Sequence, residues 1–330
     1  MKITLSIIIP VYNRSQEIDE LLNSLLFQKF NKSFEIVIVE DGSTEKCNEI
    51  VKVYQEKLNI NYLFQDNTGP GQARNNGMSK ANGNYFIILD SDVILPKDYL
   101  TIVHNKLDTN YTDTFGAPDK SHHSFTETQK AINYAMTSFL TTGGLRNNGK
   151  TNFQLRSFNM GLSKKAFDLS KGFSKQHYGE DIELSYRIDK LNLTKQFIQD
   201  AFVYHKRRAN WFQFYNQTFN FGSARPILNK TLKNSTKLTY WFPSIFIIGL
   251  LFSVILIFIG YPLLYILYTL YFLAIFMNSL WLNKNIKVAL FSMQAVFIQF
   301  LGYGLGFIKS QFNLNIFRKS KEATFPKMFS

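Results

Sequence analysis

The chain has 330 residues, a formal net charge of +13 and a single cysteine, Cys47. One cysteine excludes an intramolecular disulfide and a cysteine-rich zinc site. No nucleic-acid-binding motif accompanies the positive charge, and basic residues instead flank an almost uncharged region at residues 240–308. This placement favours anionic lipid headgroups as partners and argues against nucleic acid.

The chain begins with alternating strands and amphipathic helices. Strands are predicted at residues 5–9, 34–39, 60–64 and 85–89. The helix after the first strand has an apolar stripe of Ile18, Leu21, Leu22, Leu25 and Leu26. Asn13 and Gln16 resemble a capping box at its start. Helices also follow the second and third strands, the latter at residues 73–81. The order βαβαβαβ predicts an α/β fold with a parallel sheet and right-handed crossovers.

The pattern loosens after Pro96. Residues 97–155 show no clear periodicity, and His122 and His123 are expected on a surface loop. A helix at residues 182–191 and a strand at residues 197–204, which ends at His205, follow. No signal-peptide pattern precedes the first strand, so this part of the chain is expected to be cytoplasmic.

Three apolar stretches follow, at residues 241–260, 262–282 and 288–308, each close to the ~20 residues that cross a bilayer. The third contains two glutamines and a Gly-x-Gly-x-Gly series, so it is either a span or a re-entrant or interfacial segment. Three spans would place the basic tail outside, against the positive-inside rule, whereas two spans would keep it in the cytoplasm. We therefore predict a catalytic domain at residues 1–237, a membrane region with two or three helices at 238–312, and a basic tail at 313–330.

Acidic side chains follow two of the predicted strands. Glu40 and Asp41 end the second strand, and Asp90 and Asp92 follow the fourth. An Asp-x-Asp pair alone is typical of a solvated turn, but the carboxyl ends of parallel strands meet at one edge of a sheet. Two carboxylates there can hold a hard dication against phosphates. The chain has neither a Gly-x-Gly-x-x-Gly after the first strand nor a Walker motif, which argues against dinucleotide oxidoreductases and P-loop proteins.

Five segments together resemble family 2 glycosyltransferases of the GT-A fold. They are LSIIIPVYN at residues 5–13, VEDGST at 39–44, GQARNNG at 71–77, LDSD at 89–92 and GEDIELS at 179–185. The resemblance extends over roughly residues 3 to 205. It implies a nucleotide-diphospho-sugar donor, with a UDP-sugar favoured, a Mn²⁺ or Mg²⁺ cofactor, and inversion at the anomeric carbon.

The resemblance also implies roles for single residues on the donor side. Asp41 would read the donor base, Arg74 would lie close to the nucleotide, and Asp90 would lie near the ribose. The pocket for the base would be shaped by Pro10, Tyr12 and Glu40.

On the catalytic side, the resemblance implies that Asp92 binds the metal and that Asp181 is the catalytic base. His205 is either a second metal ligand or a structural histidine. Glu180 and Asp181 have an alternative role as charges at a helix N-terminus. The residues expected on the acceptor side are Asn159, Met160 and Glu180.

The Gln-x-x-Arg-Trp motif of processive membrane synthases is absent between Asp181 and Trp241. We therefore expect a non-processive, membrane-anchored enzyme of the inner membrane that adds one sugar to a glycan acceptor, which the membrane segments suggest is lipid-linked. A polyprenyl-phosphate sugar synthase is the alternative enzyme, and a non-catalytic membrane scaffold is the alternative of another class. The sugar, base and linkage depend on residues 97–160, where no pattern is readable.

Overall fold

The structure, a computed structural model, describes residues 2–143 and 153–329. Up to Lys120 the elements are β1 (Leu5–Val11), α1 (Ser15–Leu26), β2 (Phe34–Asp41), α2 (Asn48–Gln55), β3 (Ile60–Gln65), α3 (Pro70–Lys80), β4 (Tyr85–Leu89), β5 (Val93–Ile94), α4 (Tyr99–Thr109), β6 (Thr114–Gly116) and β7 (Asp119–Lys120). They are followed by α5 (Glu127–Thr137), α6 (Phe139–Thr142), β8 (Asn159–Ser163), α7 (Lys164–Ser170), α8 (Glu180–Lys190), β9 (Lys195–Phe197) and β10 (Val203–His205). The remaining helices are α9 (Trp211–Thr231), α10 (Phe242–Phe258), α11 (Leu263–Asn283), α12 (Ile286–Gln311) and α13 (Lys321–Thr324).

These elements form two compact units. The first contains the described residues up to 120 and from 153 to 206, and the second contains residues 121–143 and 207–329. The domain boundary at residue 237 stays a prediction. The second unit begins earlier because α9 packs on α12, and it includes α5, which also packs on α12.

The first unit is built on a seven-stranded sheet in the order β3-β2-β1-β4-β8-β6-β9. The four strands β3, β2, β1 and β4 are parallel, as the βαβ order predicts. β8 runs antiparallel to both β4 and β6, while β9 is parallel to β6. Both faces are buried: Ile7 and Ile36 pack on one side, and Ile8 and Val37 on the other. This double burial explains why the strands read as continuous apolar runs.

A small second sheet, in the order β5-β10-β7, lies beside the carboxyl end of β4. The sequence predicts a single strand at residues 197–204, but this prediction is wrong, since a turn at Gln199 and Asp200 separates β9 from β10. β10 pairs antiparallel with β5, which sets His205 opposite Val93. His205 therefore lies next to Asp92.

Two helix starts also differ from the sequence prediction. Arg14, not Asn13, is the N-cap of α1, and no side-chain cap forms. Asn13 instead adopts a positive φ of 51°, and its side-chain oxygen accepts hydrogen bonds from Thr44 and from the Glu45 amide. The capping box is therefore wrong, and Asn13 ties the end of β1 to the loop after β2. α3 begins at Pro70, where a proline fits because the first helical amide has no intrahelical acceptor.

The second unit is helical. Three of its helical segments are long and apolar enough to cross a membrane: Leu238–Phe258, Leu263–Asn283 and Ile286–Ile316. α5 packs against them through Ala131, Ile132 and Ala135. Its Tyr134 hydroxyl donates to the Asn278 side chain at 2.8 Å.

Candidate active site

Three of the predicted site residues meet where β4 and β10 end. Asp90, Asp92 and His205 each offer one ligand atom, and these atoms lie within 4.8 Å of one another. Asp90 and Asp92 follow the last residue of β4, and β10 delivers His205 through its pairing with β5. The structure thus brings together two carboxylates and an imidazole from positions more than a hundred residues apart.

His205 is held between two carboxylates. Its Nε2 lies 3.1 Å from Oδ1 of Asp92, and its Nδ1 lies 3.8 Å from Oδ2 of Asp119. The ring also lies against Phe158, with the ring centroids 5.0 Å apart. The sequence analysis missed Asp119, because β7 has only two residues and no periodic signal.

Arg14 is a second residue that the sequence analysis missed. Its guanidinium donates to Oδ2 of Asp92 at 3.0 Å and to Glu17 at 3.3 Å. Arg14 lies three residues after the end of β1, so a basic residue shortly after the first strand was the available signal. Asp92 is thus contacted from two sides, by the Arg14 guanidinium and by the His205 ring.

Arg74 links the strand ends to α8. This side chain from α3 is only 3% exposed, and it donates to Asp90 at 2.7 Å and to Glu180 at 3.1 Å. Burial would lower the pKa of Arg74, but the carboxylates of Asp90 and Glu180 outweigh this and raise it. Arg74 therefore remains charged and joins two acidic positions that are distant in the chain.

Glu180 and Asp181 lie in the first turn of α8, after Gly179 in a left-handed conformation. Burial raises the pKa of Glu180 to about 7, with a further contribution from the Asp181 carboxylate and an opposing one from Arg74. Asp181 accepts a hydrogen bond from the Ile182 amide, and its other oxygen lies 3.6 Å from the Arg156 guanidinium. Asp181 thus lies between the N-terminal end of α8 and the guanidinium of Arg156.

The residues predicted for the base pocket differ in their exposure. Asp41 accepts hydrogen bonds from the backbone amides of Thr68 and Gly69 at 3.0 and 2.9 Å, so it holds the loop before α3. Pro10 is buried, while Tyr12 is 52% exposed and lies at the end of β1.

Glu40 is fully buried and supports the loop after β2. It accepts hydrogen bonds from the Ser43 hydroxyl, the Cys47 amide and the Tyr62 hydroxyl. Burial and the neighbouring Glu40 raise the pKa of the Cys47 thiol, so Cys47 packs as an unreactive side chain. The structure places Glu40 beneath the site rather than in it.

Asn159 and Met160 do not join the cluster. Both are fully buried in β8. The Asn159 oxygen accepts from the Tyr99 hydroxyl, and its amide group donates to the carbonyl oxygens of Pro118 and Ala201. With its hydrogen-bonding groups occupied inside the sheet, Asn159 supports the strands and offers no surface to an acceptor.

Comparisons with known proteins identify the family of this part of the chain. The family model Glycosyl transferase family 2 matches residues 6–169. Poly(ribitol-phosphate) beta-N-acetylglucosaminyltransferase TarS of Staphylococcus aureus (strain Mu50) is 39% identical over 111 residues, which are 33% of this chain and 19% of TarS. Chondroitin synthase of Pasteurella multocida (strain Pm70) is 30% identical over 238 residues, covering 62% of this chain and 25% of that protein.

The matched part spans only about a fifth to a quarter of the length of these two relatives. Among solved structures, mannosyltransferase PcManGT from Pyrobaculum calidifontis, in complex with GDP-Man and Mn²⁺, has a TM-score of 0.57. It is 15% identical, and the match covers 92% of this chain and 88% of that chain, so it supports the fold. Residues 6–169 therefore form a glycosyl transferase family 2 domain, and its fold is the GT-A fold.

Proposed function

We propose that the chain is an inverting, non-processive glycosyltransferase that moves one sugar from a nucleotide-diphospho-sugar to a glycan acceptor. The main support is the Arg74 bridge. It ties Asp90, at the strand ends where the family binds its donor, to Glu180, the neighbour of Asp181. Inversion requires a carboxylate on the face of the sugar opposite the leaving group, and Asp181 is the carboxylate that this bridge positions.

The residues at the strand ends fit a divalent cation. Asp90, Asp92 and His205 supply oxygen and nitrogen atoms close enough to share one ion, and Mn²⁺ accepts both types of ligand. Mg²⁺, which prefers oxygen ligands, would rely on the two carboxylates. When bound, such a cation would neutralise charge on the diphosphate leaving group. We propose Asp92 as the main ligand and His205 as the second, with Asp90 reaching the ribose side.

Asp181 acts as the general base in this proposal. It accepts the proton of the acceptor hydroxyl as that oxygen attacks the anomeric carbon. The Arg156 guanidinium and the Ile182 amide contact this carboxylate and orient it. Glu180, which is buried, contributes by holding Arg74 rather than by touching the acceptor.

Asp41 and Tyr12 form the proposed base pocket, and we propose UDP as the nucleotide. The two backbone amides that bind the Asp41 carboxylate fix its direction, and the exposed Tyr12 ring is available for stacking. Pro10 shapes the floor of this pocket, and Glu40 supports the loop beside it.

We propose a lipid-linked glycan as the acceptor, because apolar helices would hold the enzyme at a membrane. Names of relatives support a glycan or polyol polymer as the acceptor class, since one is a poly(ribitol-phosphate) glycosyltransferase and another a chondroitin synthase. Because Asn159 and Met160 are buried, we do not include them in the acceptor side.

Donor turnover by the purified full-length protein tests this proposal. UDP-, GDP- and dTDP-sugars are supplied with Mn²⁺ or Mg²⁺, and release of the nucleotide is measured with and without a polyprenyl-diphosphate glycan. We expect transfer from a UDP-sugar with inverted anomeric configuration. Transfer to bare polyprenyl phosphate would favour the polyprenyl-phosphate sugar synthase. A folded protein that turns over no donor would support the non-catalytic scaffold.

A further inference from the structure

The third apolar helix, α12, begins beside the end of the second. α11 ends at Asn283 and α12 starts at Ile286, so the two are joined by a very short connection. The hydroxyls of Ser279 and Ser292 hydrogen-bond at 2.8 Å across this corner. The first turns of α12 therefore lie at the end of α11 that is remote from the connection between α10 and α11.

The later part of α12 lies against the beginning of α10. The Ser244 hydroxyl donates to the Gly304 carbonyl at 3.1 Å, and the rings of Trp241 and Phe307 are 4.9 Å apart. Gly304 comes about 27 Å after Ile286 at the helical rise of 1.5 Å per residue. In an up-down-up bundle of three spans, that distance would bring Gly304 level with the far end of α10, near Phe258. Gly304 lies instead beside the first turn of α10.

α10 and α11 form a hairpin whose two free ends both meet α12. The Tyr268 hydroxyl of α11 donates to the Phe246 carbonyl of α10 at 2.8 Å, and residues 259–262 connect the helices. The beginning of α10 and the end of α11 thus lie at the open end of the hairpin. Because α12 contacts the end of α11 with its first turns and the beginning of α10 with its last turns, both of its ends lie at that open end.

The helix α9, which carries polar and charged as well as aromatic side chains, packs along α12. Trp211, at the start of α9, packs on Phe291 with 5.6 Å between ring centroids. At the other end of α9, the Lys230 ammonium donates to the carbonyl of Leu314, just beyond α12, at 3.0 Å. Between them, the backbone of α9 approaches the Gly302 and Gly306 positions, where a side chain would collide with it.

The polar and charged side chains of α9 are incompatible with a position of α12 deep in the bilayer. The side chains of α9 include Gln213, Asn216, Gln217, Asn220, Arg225, Asn229 and Lys230. If α12 crossed the bilayer, α9 would be carried into the hydrocarbon with it, where its charged groups would lose their hydration. At the membrane surface the same side chains can face headgroups and water.

We propose that α12 lies along the membrane surface, packed between α9 and the open end of the hairpin, and that α10 and α11 alone cross the bilayer. The chain after α12 then returns to the side on which α10 begins. That side receives the basic residues Lys309, Arg318, Lys319, Lys321 and Lys327, as the positive-inside rule requires. The partner of α12 is therefore the headgroup region of anionic lipids.

Cysteine labelling of the full-length protein tests this topology without relying on catalysis. In a Cys47→Ala background, single cysteines replace Ser320 in the tail, Tyr261 between α10 and α11, and Val53 on α2. Tyr261 and Val53 are 68% and 67% exposed. A membrane-impermeant maleimide is added to sealed right-side-out and inverted vesicles, and each thiol is titrated again after solubilisation.

We expect Ser320→Cys and Val53→Cys to be labelled from the same side and Tyr261→Cys from the other. Labelling of Ser320→Cys together with Tyr261→Cys would show three spans and overturn the proposal. Labelling of all three from one side would show that the hairpin does not cross, which also overturns it. An epitope tag inserted between Gly260 and Tyr261 and detected by antibody replaces the thiol if Tyr261→Cys does not react.

Discussion

Arg14 and Asp92 form an ion pair at 3.0 Å, so a guanidinium occupies one face of the carboxylate proposed as the main metal ligand. The pair is largely shielded, since the side chains are 26% and 12% exposed. A cation that binds Asp92 therefore has to share this carboxylate with Arg14 or displace it. If Arg14 and a metal ion compete for Asp92, removing Arg14 should change the affinity of the protein for the metal ion.

Replacing Arg14 with methionine is expected to tighten Mn²⁺ binding in the absence of donor. Losing a partly exposed ion pair worth up to about 1 kcal/mol corresponds to a twofold to fivefold lower Kd. Isothermal titration of Mn²⁺ into the purified protein measures the change. Glu17→Gln is the matched control, because it removes the other partner of Arg14 and leaves the contact with Asp92 in place. Weaker Mn²⁺ binding in Arg14→Met would contradict the competition.

Asp181→Asn is expected to lower kcat for sugar transfer by about 10²–10⁴-fold, because the amide cannot take the proton of the acceptor hydroxyl. The KM for the donor should change little, since the donor-side residues remain. Asp189→Asn provides the control: it lies on the same helix, is 52% exposed and pairs with Lys195. Initial rates with the best donor measure both variants. If Asp181→Asn transferred sugar at the wild-type rate, Asp181 would not be the general base.

The buried Glu180 carboxyl group should make the stability of the folded protein depend on pH. Its pKa rises from 4.5 to about 7 on folding, so between these pH values the folded protein holds a proton that the unfolded chain releases. Stability should therefore fall as pH rises through this window. Glu180→Gln stays neutral and should lack this decline, so its Tm relative to that of wild type should increase from pH 4.5 to 7. Melting curves in detergent across this range test the prediction, and parallel pH profiles for the two proteins would refute it.

Asn159→Ala is expected to reduce stability rather than acceptor affinity. The substitution leaves buried partners of the Asn159 amide without a hydrogen bond, at a cost of about 1–3 kcal/mol. Chemical denaturation measures the loss, and the acceptor KM of the remaining folded enzyme should stay the same. Asn105→Ala, on the exposed face of α4, should leave stability nearly unchanged. A rise in the acceptor KM without a loss of stability would show that Asn159 contributes to acceptor binding.

The parallel half of the sheet was predictable because its signals are local. β1, β2 and β4 are apolar runs with helical stripes between them. Their order, and the position of Asp41 and Asp90 at the same edge of the sheet, therefore follow from periodicity and the crossover rule. The same information predicted three long apolar segments.

Long-range pairing of short segments was not predictable. Asp119 reaches His205 because two strands of two and three residues pair, and such strands leave no pattern in the sequence. Arg74 was expected near the nucleotide, but its two ion pairs depend on a helix start about a hundred residues later. Residues 121–143 were expected to be irregular; in the structure they include α5, because its apolar face is completed by helices from the end of the chain.

The double ion pair of Arg74 restricts how this protein can change. One planar guanidinium satisfies Asp90 and Glu180 together, and a lysine ammonium cannot reproduce that fork. Replacing Arg74 leaves both carboxyl groups without their guanidinium, and replacing Asp90 or Glu180 removes one of the two partners of Arg74. A tolerated change at one of the three positions therefore requires compensating changes at the others. Positions 74, 90 and 180 should therefore covary among homologous sequences, and departures from this triplet would identify relatives whose catalytic helix is anchored in another way.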